Sequence, residues 1–352
     1  MVERSINDLN AHVDVKGMIS EYSYSMGAQF QSLAMSTDTN AFSDTRIKGF
    51  ADITASIVGM PVTTSLMIDL HSYGDTSSYN FIEAGASTIW TKGDITIRGK
   101  AGLQSAMNSN GVYFGAFTLA SDIDYRLATE FTAYLNIRSG LNNTSLSTML
   151  NLNPYLVNTP IISFQRDDLS ISPMLQWHPT IDMTSSIKLS YRTSSNIPVI
   201  TPNSTEASQF AGFDITYISG TVLDARLETQ YSIEHQGTIN GYASYTYSTQ
   251  TEGGNPIPMI APLTIGLRYE RMLTGSLQSI FSIEHLGART VDKEAKYEIP
   301  SYIMANARLN YQVQKNVEAY VRIDNIFNAS VYLWNRFRER GTFVALGARY
   351  LF

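Results

Sequence analysis

The chain has no cysteine, few charges and no long apolar run. With none among 352 residues, thiol nucleophiles, thiolate metal sites and disulfide scaffolds are excluded. Charged residues are 16% of the chain, against about 25% in an average soluble protein. Mean hydropathy is nevertheless only −0.10, and nothing approaches the roughly 18 consecutive apolar residues of a spanning helix. No amphipathic helix longer than about three turns is visible, and 142–151 holds at most a short helical turn.

Chemical motifs are also missing. His12, His71, His178, His235 and His285 stand singly, none paired at metal-ligand spacing, and read as isolated residues on a polar face or in loops. Asp122-x-Asp124 and Asp167-Asp168 lack the Gly and the later Glu of a calcium loop and read as turn residues. There is no Gly-x-Ser-x-Gly elbow, and Gly253-Gly254-Asn255-Pro256 is a turn signal. The expectation is no enzyme and no cofactor. A net charge of −6 argues against nucleic acid as a partner. No signal peptide is visible at the N-terminus, so an exported chain reads as mature or as incomplete there.

What is present is alternation. Leu263, Ile265, Leu267 and Tyr269 alternate with Thr264, Gly266, Arg268 and Glu270; Ile303 to Val313 and Val317 to Ile323 follow the same rule. Val344, Leu346, Ala348 and Tyr350 alternate with Phe343, Ala345, Gly347 and Arg349. Period two puts each set on one face of a strand. Upstream, Ile47 to Ile57, Leu127 to Ile137 and Ile187 to Tyr191 repeat it. Residues 213–231 keep one parity through Gly220, which predicts one very long strand.

Two architectures fit alternation. A sandwich turns its apolar rows inward; a membrane barrel turns them to lipid. The segments commonly exceed ten residues, as a tilted spanning strand requires and an average soluble strand does not. Short turns at 59–61, 92–94, 273–275 and 314–316 alternate with long loops at 36–44, 140–167, 198–208, 251–261, 287–300 and 328–340. Tyr22, Tyr24, Tyr79, Trp90, Tyr191, Tyr245, Tyr247, Tyr302 and Tyr350 suit interfacial girdles. The expectation is one all-β domain over 1–352: a transmembrane antiparallel barrel of about 16–18 strands by the alternation rule. A count from the C-terminus gives about 17, with the last strand running toward the periplasm.

Asp324-Asn325-Ile326-Phe327-Asn328, then Val331-Tyr332, Gly341-Thr342-Phe343 and the terminal Gly347-Ala348-Arg349-Tyr350-Leu351-Phe352 resemble the end of TonB-dependent outer-membrane receptors. The resemblance is strongest over 205–352. It implies an outer-membrane receptor or transporter for a scarce ligand such as an iron chelate, cobalamin or a glycan. Gly347, Tyr350 and Phe352 then match the signal read by the barrel-assembly machinery. Complete members of that family have 22 strands and a plugged lumen. No TonB box and no plug of the family's kind are seen, so the chain reads as a C-terminal piece of such a receptor, an incomplete 22-stranded barrel, or else as a plugless relative. Implied partners are outer-membrane lipid, the assembly machinery, a plug domain with the TonB system, and an unidentified small ligand. Arg192, Arg226, Arg268, Arg308 and Arg322 are the lumen-facing charge candidates, either compensating neighbouring carboxylates or contacting a plug or anionic substrate. A passive porin-like channel and a structural or adhesive surface barrel are the competing readings.

Overall fold

A computed structural model of the chain describes residues 4–37, 41–74, 77–153, 156, 161–203, 212–234 and 236–350. Phe352, Leu351 and His235 lie outside the described residues. Seventeen strands form one antiparallel sheet. They are β1 (Arg4–Ile19), β2 (Tyr22–Thr37), β3 (Ala41–Ile57), β4 (Met60–Tyr73), β5 (Ser77–Lys92), β6 (Ile95–Met107), β7 (Tyr113–Arg126), β8 (Phe131–Asn142), β9 (Gln165–Thr180), β10 (Met183–Pro202), β11 (Phe213–Ile233), β12 (Gly237–Gln250), β13 (Leu263–Thr274), β14 (Leu277–Leu286), β17 (Tyr302–Gln314), β18 (Val317–Asp324) and β21 (Phe343–Tyr350). Helix α1 (Leu146–Leu152) follows β8, and two small hairpins, β15 (Arg289–Thr290) with β16 (Glu298–Ile299) and β19 (Tyr332–Trp334) with β20 (Phe337–Arg338), sit in the last loops. The strand count and the single 21-residue β11 agree with the alternation.

Two compact units share this sheet: 1–125, 135–171 and 192–221 form the first, and 126–134, 172–191 and 222–352 the second. In the first, β1 to β7 pair in chain order. In the second, β12, β13, β14, β17, β18 and β21 do so.

The rows are inverted relative to a soluble protein. In β6, Leu103 is 68% exposed and its neighbour Gln104 7%. In β7, Phe117 is exposed while Thr118 is buried. Val344 and Leu346 of β21, and Leu263, Ile265 and Leu267 of β13, are exposed too. Apolar side chains left facing water would forfeit roughly 25 cal/mol per Å². A surface of such rows is stable only against hydrocarbon, where every backbone group must be paired within the sheet.

Three expectations are corrected. Residues 36–44 and 198–208, expected as loops, are strand in part: β2 reaches Thr37, β3 starts at Ala41 and β10 reaches Pro202. Asp122, Asp124, Asp167 and Asp168 belong to β7 and β9, not to turns. Residues 140–164, expected as an outer loop, instead lay α1 and Ile162–Phe164 on the polar side of the first unit. There Tyr79, Phe81, Leu146, Met149, Ile162 and Phe164 are fully buried, with the Phe81 and Phe164 rings 5.9 Å apart. Apolar groups on a polar face thus obtain burial from the chain itself. Ser145 caps α1 by accepting from Thr148 N at 3.2 Å.

Candidate functional site

In the first unit the polar face carries a buried charge cluster. On β3, Asp44 and Arg46 share a parity; on β4, Asp69 and His71 do. The register Arg46↔His71 sets them diagonally within reach, and His71↔Tyr79 brings in β5. Arg46 donates twice to Asp69, from Nε at 2.7 Å and from Nη2 at 2.5 Å. The planar guanidinium suits this two-pronged geometry. His71 lies between both carboxylates, with Nδ1 2.9 Å from Asp44 Oδ1 and Nε2 3.2 Å from Asp69 Oδ1. Its ring stacks on Tyr79, centroids 3.9 Å apart. The Tyr79 hydroxyl donates to Asp44 Oδ2 at 2.8 Å. Tyr79 is therefore no interfacial girdle residue; it is buried. Asn143 Nδ2 donates to Asp69 Oδ2 at 2.6 Å, and Leu146 N to the Tyr79 hydroxyl at 3.4 Å, which ties the approach to α1 onto the strands. Each Asp69 and Asp44 oxygen is engaged, while His71 Nε2, buried beside Asp69, makes no hydrogen bond. Among the described residues no group of three or more His, Cys, Asp and Glu could hold a metal.

The second unit carries four of the five candidate arginines on its polar face. Arg226 Nε donates to Glu228 Oε1 at 2.5 Å, and Arg268 Nε to Glu270 Oε1 at 2.5 Å. Arg322 meets Asp324 at 3.0 Å. In each pair the partner stands two residues on, hence on the same face of the same strand. Arg308 donates from Nε to Asn310 at 2.6 Å, approaches Glu318 at 3.6 Å and covers the Tyr320 ring at 4.5 Å. Arg349 reaches Glu318 at 3.2 Å. Arg192 stands apart in the first unit, on the polar row of β10, with no ion pair among the described residues. Exposed pairs like these contribute about 0–1 kcal/mol each; their effect is a nearly neutral, hydrated face.

Asp324 to Asn328 form the corner after β18. Asn325 adopts φ 52° and Asn328 φ 51°, a region Asn tolerates better than most residues. The buried Asn325 side chain accepts from Ala329 N at 2.8 Å and donates to Ala329 O at 2.9 Å. Asn328 Oδ1 accepts from Thr342 N at 3.2 Å, closing the base of the following loop, while Ile326 and Phe327 are exposed. Gly347 faces the Tyr320 ring, where a Cβ would collide with it. Gly27 under Phe50 and Gly266 under Tyr242 repeat that joint. Tyr350 is exposed on the apolar row. Sequence reading missed Arg289, which is buried in β15 and donates to the Tyr332 and Leu333 carbonyls at 2.7 and 3.2 Å. Burial lowers the pKa of its guanidinium.

A long-stranded antiparallel sheet with its apolar rows outward and its charges on the opposite face is the wall of a membrane β-barrel. Residues 189–326 match the family described as TonB dependent receptor-like, beta-barrel. No curated protein matches the sequence. Among solved structures, the chain is similar to the ferric-catecholate import receptor Fiu from E. coli K12, at TM-score 0.72 and 10% identity over 99% of this chain and 64% of that one. It is similar to the ferric enterobactin receptor PfeA from Pseudomonas aeruginosa, in a mutant form, at TM-score 0.74 and 8% identity over 99% and 62%. The copper transporter OprC gives TM-score 0.73 and 10% identity over 99% and 66%. The chain thus resembles the β-barrel of TonB-dependent receptors, in sequence over 189–326 and in fold over nearly its whole length. It spans slightly less than two thirds of these proteins.

Proposed function

We propose that the chain is the transmembrane wall and loop scaffold of an outer-membrane uptake receptor of the TonB-dependent kind, taking up a scarce ligand. The observation that supports this reading is the inversion of the rows, apolar outward and charged inward. The family match and the fold likeness supply the rest, and the named transport roles of those neighbours extend to this chain only as a proposal. In this reading the C-terminus is periplasmic, the paired arginines from Arg226 to Arg322 line a hydrated interior, and Arg192, on the polar row of β10, faces solvent in the same way. A plug domain and the TonB system supply gating and force. Gly347, Tyr350 and Phe352 engage the assembly machinery, and the corner at Asp324–Asn328 holds the last extracellular loop.

Refolded in detergent, the chain is expected to give a sheet-dominated circular dichroism spectrum and a heat-modifiable band on gels. A helix-dominated spectrum contradicts the reading. Planar bilayers separate the receptor from a passive pore. The receptor reading predicts no steady large conductance from the chain with its plug; a steady large conductance under that condition favours the pore.

A further inference from the structure

Within the second unit, the polar face of β9 to β12 contains a cavity of about 330 Å³, at the small end of ligand pockets. Gln176, Thr184, Ser186, Glu228, Gln230 and Asn240 line it, with the edge of Tyr242. No Lys or Arg does. The cavities on β1–β3 and β5–β8 differ: the first has Lys48, the second Arg98, Lys100 and Arg138.

Of the cations near the cavity, Lys188 stands two residues beyond Ser186 on the same row and outside the lining. Arg226, on the row of Glu228, gives its Nε to Glu228 Oε1 at 2.5 Å and lies 4.8 Å over the Tyr242 ring. The Tyr242 hydroxyl donates to Glu284 at 2.6 Å, which fixes the ring. Glu228 is thereby neutralised, with Oε2 left to accept. The Tyr134 hydroxyl donates to Gln176 Oε1 at 3.0 Å, which orients that amide so its NH₂ remains to donate. Ser186, Gln230 and Asn240 have no hydrogen-bond partner among the described residues. The cavity therefore presents both donors and acceptors, with Gln176, Glu228 and Tyr242 held by neighbours and no cation in the lining.

Such a surface discriminates by chemistry. A carboxylate or phosphate ligand would meet Glu228 with no cation in the lining to pair with it, and a cationic ligand would meet a carboxylate already neutralised. A neutral molecule dense in hydroxyls satisfies both sets of groups, since each hydroxyl donates once and accepts twice. We propose that this cavity is a subsite for a neutral sugar or polyol on the barrel wall. The inference rests on the uptake-receptor reading and names a ligand class for it.

The test uses the full chain refolded in detergent, titrated calorimetrically with maltotriose and sucrose, and with citrate as the charged control. Saturable binding of at least one sugar and none of citrate is expected. Asn240→Leu combined with Gln230→Leu removes two hydrogen-bonding side chains and should weaken sugar binding about tenfold or more. The milder Ser186→Ala with Asn240→Asp should weaken it as well, and Lys100→Met in the other cavity should leave it unchanged. Binding of neither sugar, binding that ignores these substitutions while the band stays heat-modifiable, or tighter binding of citrate overturns the inference alone. Loss of the heat-modifiable, sheet-rich state in the unsubstituted chain overturns the receptor reading itself.

Discussion

Two residues show how local chemistry acts in this sheet. Asp69 is fully buried and serves Arg46, His71 and Asn143 together. Removing it strands a guanidinium and an imidazole, so Asp69→Ala should cost about 3–5 kcal/mol, the range for breaking a buried charge pair. The temperature at which the folded band converts on gels should fall accordingly; an unchanged temperature would show the cluster to be idle. Val58 sits at the tip between β3 and β4 with φ 52°, next to Gly59 at φ 76°. Both angles are positive, as in a type I′ hairpin turn, which prefers Asn-Gly. A β-branched residue is strained there, so Val58→Asn should stabilise the hairpin by about 1 kcal/mol, read as a higher urea midpoint. A lower midpoint would refute the strain. Neither feature was legible beforehand. The turn expected at 59–61 lies at Val58-Gly59, between Ile57 and Met60. Asp44-x-Arg46 and Asp69-x-His71 are visible as two short pairs, but a slip of one residue in register would send one pair to the other face.

At the scale of the element, each strand has two faces with different solvents, and single substitutions distinguish them. Leu346 is 76% exposed on the apolar row of β21, whereas Ala345 is on the polar row. Leu346→Arg should lower stability in lipid bilayers by about 2–4 kcal/mol if it lies near mid-membrane. Ala345→Glu should cost little, because it faces Arg322 of the paired strand on the hydrated row. Urea unfolding from vesicles measures both, and equal costs would contradict the face assignment. This level was the most legible. Alternation together with turn spacing gives a count close to the seventeen strands of the sheet, because a period of two survives errors at strand ends. It did not reveal the folding of 140–164 onto the polar face, since Leu146, Met149, Ile162 and Phe164 follow no strand period and their partners, such as Phe81, lie far away in sequence.

Across the whole molecule, the account depends on which solvent each row meets. The absence of cysteine makes this directly measurable, because any introduced thiol is the only one. Single cysteines through Leu263–Thr274 and Phe343–Tyr350 can carry spin labels in proteoliposomes. Accessibility to oxygen, which concentrates in hydrocarbon, is then compared with accessibility to a water-soluble nickel chelate. The account predicts oxygen maxima at 265, 267, 344 and 346 and nickel maxima at 266, 268, 345 and 347, alternating at every residue. Nickel access at the first set, or protection of that set from both reagents as in a sealed core, would contradict it.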